Sequence, residues 1–423
     1  MPVIPTRLHV AVIIFRHTDG GVHEGVFVLD EFEEGGLAEL VAWSGLRRVH
    51  MLAWRDLDDP EAGGSELHAA MVAKLWTEAG LEVTMRTSFA QGRVRDGRRD
   101  GYRVVRRNGR YGVFPASVLS ELAGSRGRLG RADGLLEVWN GVPWLSPLWA
   151  RMPRAVMIHH VHQDMWDLVL RPGLASFGKN LEAKWAPPAY RRTDIVTPSP
   201  STRDEVVEIL GMKPERVSVA SPGIDDRFHP GSEALSPVPM IVAAGRLMPT
   251  KRFDEVIRIA AEVRLAHPDL QLVIVGQGYV RPELERLIAD LGAQDWVRLT
   301  GYVSDEELVS YYRQAWLVVS ASIAEGWGMT LTEAAACGTP AVVSRINGHC
   351  DSVIDDVTGY LADDSREMVQ RITQVLGDAA LRTRLAERAR KRAVQFTWEA
   401  CAYGTFLPLA RAGAEQNGQP APR

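Results

Sequence analysis

The sequence predicts an α/β protein built as two Rossmann-like halves in tandem. Three observations carry this. From about residue 47, apolar runs of strand length alternate with amphipathic runs of helix length, joined by short polar links, which is the pattern of βαβ units and a parallel sheet. The alternation breaks at "DDRFHPGSEALSPVPM", near 229–239, and then restarts. The chain has 423 residues, enough for two or three domains, and its 46% hydrophobic and 24% charged content is ordinary for a globular protein.

The elements follow in order. Within residues 1–45, "HVAVIIF", "HTDGG" and "VHEGVFVLDEF" read as a hairpin with a Gly-rich turn, a prefix set apart from the regular pattern. "RVHMLAW" is a buried-type strand. "AGGSELHAAMVAKLWTEAG" is a loop and then a helix, with Ser65 as expected N-cap, Leu67, Met71 and Leu75 as the apolar stripe, and Gly80 at C′. "LEVTMRTS", "LLEVWNG", "RAVMIHH" and "DIVTPSP" continue the strands of the first half, and "STRDEVVEIL" is a helix. In the second half "MIVAAG", "LQLVIVG", "WVRLTG", "WLVVSA" and "PAVVS" are strands, separated by helices such as "FDEVIRIAAEVRLAH" and "DEELVSYYRQA". The expected organisation is an extension over 1–45, an N-terminal domain over 46–232, a C-terminal domain over 238–397, a last helix over 398–412 and a disordered tail over 413–423.

A net charge of −4 gives no electrostatic argument for nucleic acid. Three cysteines are too few and too scattered for a disulfide framework or a zinc site, which fits a reducing cytoplasm. No apolar run approaches the ~20 residues a spanning helix needs. The N-terminal "MPVIPTRLHVAVIIF" lacks a convincing signal-peptide cleavage site.

Ligands of open α/β sheets collect at the carboxyl ends of the strands. After "MIVAAG" come Arg246 and Lys251, two cations in a loop leading to a helix, which suit a pyrophosphate or are simply solvated charges. After "LQLVIVG" comes a lone Gly-x-Gly, Gly276 and Gly278, read first as a tight turn. After "WLVVSASI" comes "EGWGMTLTE". Gly326 and Gly328 free the backbone so that amide groups can face an anion, and a helix beginning near Thr330 adds its positive end. Glu325 precedes the turn, and Glu333 is expected within the first helical turn. A carboxylate accepts two hydrogen bonds from vicinal hydroxyls of the kind that sugars and ribose present.

Residues from about 47 to 410 resemble the retaining glycosyltransferases of family 4, which have the GT-B fold. The resemblance rests on "GRLMPTKR", "LVIVGQG", "GYVSDEEL", "EGWGMTLTEAAACGTPAVV" and "TGYL", and above all on the two glutamates with seven residues between them. It implies two Rossmann-like domains facing across a cleft, with a C-terminal helix crossing back to the first. It also implies a nucleotide diphosphate sugar donor, UDP- or GDP-linked, held mostly by the second domain, and no further cofactor. Arg246 and Lys251 would neutralise the diphosphate, Glu333 would hold the ribose and Glu325 the transferred sugar. Backbone amides of Gly328, Met329 and Thr330 would cap phosphate or sugar. Gly63 and Gly64 would approach the donor from the first domain, and Gly276 joins the donor-binding set.

The family often has a histidine at the end of the strand "RAVMIHH". His159 fits it, with His160 and His162 as further candidates, and these two with Asn140 and Glu137 are the acceptor-side candidates. Arg252 stands where the family usually has Gly, and Asn347 and Asp351 also depart from its pattern. The acidic "DLD", Asp56 to Asp58, reads as a polar loop rather than a metal motif, which agrees with metal-independent transfer. Eight arginines (Arg93, Arg95, Arg98, Arg99, Arg103, Arg106, Arg107 and Arg110) read as a solvated loop and hairpin, or as a contact with an anionic acceptor or the inner membrane face. Trp139, Trp144, Trp149, Trp166 and Trp185 read mostly as core. The expected activity is transfer of a sugar to a glycan, lipid-linked or small-molecule acceptor. Alternatives are a sugar-nucleotide epimerase, a phosphorylase-like enzyme and a sensor without transfer activity. A dehydrogenase is disfavoured by the incomplete glycine fingerprint.

Overall fold

The computed structural model describes residues 11–18, 21–28, 36–124, 130–163 and 165–419. The first and last parts of the expected extension and tail, 1–10 and 420–423, lie outside the described residues, as do 19–20 and 29–35. Strands β1 (Ala11–Thr18) and β2 (Gly21–Val28) pair antiparallel, as the hairpin reading expected.

The chain divides into two compact units, one of Met1–His159, Lys184–Ala220 and Trp398–Arg423, the other of His160–Ala183 and Ser221–Thr397. The strands of the first unit's main sheet are β3 (Arg48–Leu52), β4 (Glu82–Thr87), β5 (Asp96–Arg99), β6 (Tyr102–Arg106), β7 (Gly134–Trp139), β8 (Arg154–Ile158), β9 (Asp194–Thr197) and β10 (Val217–Val219). Their order is β10-β9-β8-β7-β3-β4-β6-β5, parallel except for β5, which runs antiparallel to β6. The second sheet has β11 (Met240–Ala244), β12 (Gln271–Val275), β13 (Val297–Gly301), β14 (Leu317–Ser320), β15 (Ala341–Ser344) and β16 (Gly359–Ala362), in the parallel order β13-β12-β11-β14-β15-β16. Each sheet therefore reverses direction once about its first strand, between β3 and β7 and between β11 and β14. Such a switch point opens a crevice at the carboxyl ends of the strands.

Local sequence explains most elements. In the helix Phe253–Val263 the buried residues Phe253, Val256, Ile257, Ala260 and Val263 recur at helical spacing, each large one worth roughly 1.5–3 kcal/mol of burial. The helix Gly64–Glu78 departs from expectation in two ways. Its N-cap is Gly63, whose amide donates to Glu66 Oε2 at 2.8 Å, so Ser65 lies inside the helix. Its buried face is His68, Ala69, Val72, Ala73 and Trp76, with Leu67, Met71 and Leu75 only half-buried. Trp76 explains the rotation. Its indole donates to Ala402 O at 3.0 Å and its ring meets Phe406 at 5.1 Å, so the helix turns its large aromatic towards the last helix.

That last helix, Trp398–Gln416, packs within the first unit against Gly64–Glu78 and against the helix Leu37–Ser44. It continues past the expected start of a disordered tail at 413. Gly413 and Ala414 are buried, and a Cβ on Gly413 would lie 2.8 Å from Leu46. Packing upstream likewise starts before residue 46, with Leu37–Ser44. Towards the second unit, the transition at Ala220/Ser221 precedes the Pro/Gly stretch, because Phe228 joins the second core beside Tyr312.

Two other expectations change. The Asp56–Asp58 loop is an ion-pair centre. Asp56 is buried against Arg106, and Asp58 takes Arg106 and Arg99, the latter at 2.5 Å. Arg103 and Arg107 pair with Asp96, and Arg110 with Glu61, so five of the eight clustered arginines face acids rather than forming a bare basic patch. Trp139 and Trp144 are core as expected, whereas Trp185 is 57% exposed. Among the described residues, no helix is long and apolar enough to cross a membrane.

The lone Gly-x-Gly has a steric cause. Gly276 has φ +140°, and a Cβ there would lie 1.9 Å from Gly245 O; one on Gly278 would lie 2.1 Å from Leu247 O. The β12 loop thus rests directly on the β11 loop, joined by Leu247 N to Gln277 O at 2.9 Å. Gly276→Ala is expected to destabilise the protein by about 1–3 kcal/mol through this overlap. A urea melt of the purified variant would show it as a lower midpoint at unchanged slope.

Candidate active site

The β11–β14 switch point brings together the loop 245–251 and the turn 322–328. The 3₁₀ turn Pro249–Lys251 follows β11, and Ile323 N donates to Thr250 O at 3.0 Å, tying the two loops. Lys251 Nζ donates to Glu325 Oε1, and Ser322 Oγ reaches the same oxygen at 2.8 Å. The pair is partly buried, with side-chain exposures of 24% and 14%. Burial pushes the Glu325 carboxyl up, but Lys251, His349 and Ser322 together hold it below its ordinary range. His349 is buried and pushed down chiefly by that burial, and its Nδ1 lies 2.9 Å from Ser344 O.

Arg252 follows with φ +48°. This is a conformation that glycine adopts freely and a side chain adopts at a cost. Its pairs with Asp254 and Glu255 hold it there. The departure from the family's Gly therefore falls at a backbone position with a real preference for Gly.

Gly328, at φ +98°, is the N-cap of the helix Met329–Ala336, so the amides of Met329 and Thr330 are among those left free of intrahelical partners. Glu333 lies beyond the first turn, which holds no acidic residue. Its placement is therefore not explained by the helix dipole, which fades within one turn. Burial raises its carboxyl to about 7; nearby Asp225 adds to this, while Tyr312 and Arg227 oppose it. Tyr312 donates to Glu333 Oε2 at 3.3 Å.

The turn has a second wall that sequence reasoning missed. Gly348 has φ +80°, and a Cβ there would lie 2.5 Å from Glu325 O and 2.8 Å from Trp327 N. Trp327 itself is buried and meets Phe396 edge-on at 5.0 Å, so it packs the turn from behind.

The segment 160–183 belongs to this unit, and its helix Met165–Val169 lies beside Pro249–Lys251. Glu182, buried in a π-helical turn, organises it. Its carboxylate accepts from His162 N at 3.0 Å, Gln163 N at 3.1 Å and Trp166 Nε1 at 3.1 Å, and lies 3.2 Å from His162 Nδ1. The His160 and His162 rings lie 4.2 Å apart. No local pattern marked Glu182, because its partners lie 16 to 20 residues upstream.

The remaining candidates belong to the first unit. At its own switch point, Asn140 Nδ2 donates to Ser65 Oγ at 3.3 Å, which puts Asn140 next to the Gly63–Gly64 helix start. His159 is buried at the end of β8, its ring 5.1 Å from that of His68. Glu137 is a correction. It is fully buried, accepting from Trp144 N at 2.8 Å and Tyr190 OH at 2.6 Å, so its carboxylate organises the fold and does not face an acceptor.

Two Rossmann-like units, the second with a Lys251–Glu325 pair at its switch point, define the class as a two-domain α/β protein with a charged site at the strand ends. Residues 225–392 match the family described as glycosyl transferases group 1, and residues 62–228 match glycosyltransferase family 4. The chain belongs to glycosyltransferase family 4, with the GT-B fold, and it is a glycosyltransferase. It is 29% identical over 324 residues to the D-inositol 3-phosphate glycosyltransferase of Frankia alni, covering 70% of this chain and 77% of that one. It is also 29% identical to the enzyme of that name from Acidothermus cellulolyticus, over 84% of this chain and 88% of that one. In fold it is similar to sucrose-phosphate synthase from Thermosynechococcus elongatus, with a TM-score of 0.71 at 20% identity over 84% of this chain and 96% of that one. HepE of Anabaena, solved with UDP and glucose, aligns with a TM-score of 0.65 at 18% identity over 88% and 99%.

Proposed function

We propose that the second unit binds a nucleotide diphosphate sugar, UDP- or GDP-linked, and that the enzyme transfers the sugar with retention and without a metal ion or other cofactor. The observation that carries this reading is the meeting of Lys251 and Glu325 at the carboxyl ends of β11 and β14. A fixed cation there suits the diphosphate, and a carboxylate beside it suits sugar hydroxyls. Arg246 and the start of the helix Met329–Ala336 add positive potential, and Glu333 takes the ribose hydroxyls. The anomeric carbon–oxygen bond breaks with its electron pair going to the β-phosphate. The acceptor oxygen bonds to the same face of that carbon, and its proton passes to the departing phosphate. Lys251 and Arg246 stabilise charge that grows on the phosphate, from positions set before the reaction starts.

The names of the relatives make D-inositol 3-phosphate the first acceptor to try. The test begins with thermal unfolding in UDP-glucose, UDP-N-acetylglucosamine and GDP-mannose. A true donor at about 100 times its dissociation constant stabilises the protein by about 2.7 kcal/mol. Transfer from that donor is then followed by NMR of the product anomer. An inverted anomer removes the retaining mechanism, and the absence of a shift with every nucleotide sugar removes the donor assignment.

A further inference from the structure

The residues joining the two units carry an aromatic on each side. Phe396 lies in the second unit, one residue before the transition at Thr397/Trp398. Its ring meets Trp327, in the middle of the Glu325–Gly328 turn, at 5.0 Å and 77°. Its carbonyl accepts from Ile224 N at 3.0 Å, just downstream of another of the four transitions, at Ala220/Ser221. Arg392 lies over the Phe396 ring at 5.4 Å and donates to Asp351 O. Two residues on, Trp398 is buried in the first unit 6.0 Å from the His68 ring, which faces His159. Backbone and ring of one residue thus tie together the turn that carries Glu325 and the starts of two chain crossings.

We propose that Phe396 is a positioning residue for the Glu325–Gly328 turn, and that Phe396–Thr397–Trp398 carries the state of that turn to His68 and His159. The coupling half rests on the donor reading given above. The positioning half does not. A rigid aromatic contact transmits a displacement because packed groups shift between discrete arrangements rather than compressing. Gly348 also crowds the turn, a Cβ there lying 2.5 Å from Glu325 O, so a ligand that moves Glu325 disturbs a tightly packed turn whose aromatic contact is Trp327 with Phe396.

Amide hydrogen exchange tests both halves, on Phe396→Ala and the bulkier Phe396→Leu. In the ligand-free protein, Phe396→Leu is expected to speed exchange across 325–330 by about tenfold or more while β11 and β12 exchange as before. Unchanged exchange across 325–330 in both variants overturns the positioning role. With UDP or GDP added, the wild-type protein is expected to slow at 325–333 and also at 396–402, and Phe396→Leu only at 325–333. Slowing confined to 325–333 in the wild type overturns the coupling. No slowing with either nucleotide overturns the donor reading and the coupling with it, and the ligand-free comparison then decides for or against Phe396 alone.

Discussion

Lys251→Ala is expected to lower kcat by about 10²- to 10³-fold, which is about 2.7–4 kcal/mol of barrier. Two mechanisms could produce a loss, and a double variant separates them. On the proposed reading Lys251 stabilises charge on the departing phosphate; in the structure it also holds the Glu325 carboxyl below its ordinary range. Removing the ammonium leaves a partly buried carboxylate without its cation, and burial then pushes that carboxyl up. The folded-state value of Glu325 is depressed, so its pairing contributes stability above the unfolded value, and that contribution is lost as pH falls through the folded one. Lys251→Ala should therefore reduce stability at neutral pH as well as rate. The double variant Lys251→Ala/Glu325→Gln removes the orphaned charge and should recover the stability. If Lys251 serves the phosphate, the double variant stays at least as slow as the single one. Recovery of turnover in the double variant would mean that Lys251 matters only as a counter-ion to Glu325.

Both halves of the fold were legible because βαβ units write their period into the chain. Alternating apolar runs locate the strands, and the carboxyl ends of β11 and β14 then point to Lys251 and Glu325 with no knowledge of their partners. What the sequence did not show are pairings between residues far apart along the chain. Asp56 reads as one acid of a polar loop until Arg106, 50 residues on, folds back onto it. Glu137 reads as a strand-end acid, but Tyr190 and the Trp144 amide enclose it. The glycines show the same limit. Gly276 and Gly278 read as a tight turn, and the structure adds the distant partner which that turn meets, the backbone of the β11 loop. Gly348 drew no notice at all, because the neighbour that forbids its side chain is Glu325, 23 positions upstream. The packing of Trp327 is hidden for the same reason, since its partner Phe396 lies outside any local pattern.

Glu333→Gln is expected to stabilise the fold while weakening the donor site. The Glu333 carboxyl sits at about 7 in the folded protein against an ordinary 4.5. Between those values the native state holds a proton that the unfolded chain releases, so stability falls as pH rises from 4.5 to 7 and is level above. The span corresponds to about 3 kcal/mol at most, and an amide, which does not titrate, removes that loss at pH 8. Ligand binding runs the other way. Ribose hydroxyls donate to an ionised carboxylate, so binding to the wild-type protein below pH 7 must first expel a proton, and affinity at pH 6 should be about tenfold weaker than at pH 8. The glutamine variant should bind with no such dependence. At pH 8 it should be weaker by about 1.5–3 kcal/mol, the worth of hydrogen bonds to a charged acceptor. Calorimetric titration at pH 6 and 8, beside urea melts at the same two values, measures both effects on one preparation. A carboxylate kept half-buried and costly to ionise in the free protein makes sense where a ligand supplies its hydrogen bonds. A wild-type affinity that is flat across this range would take the ribose away from Glu333.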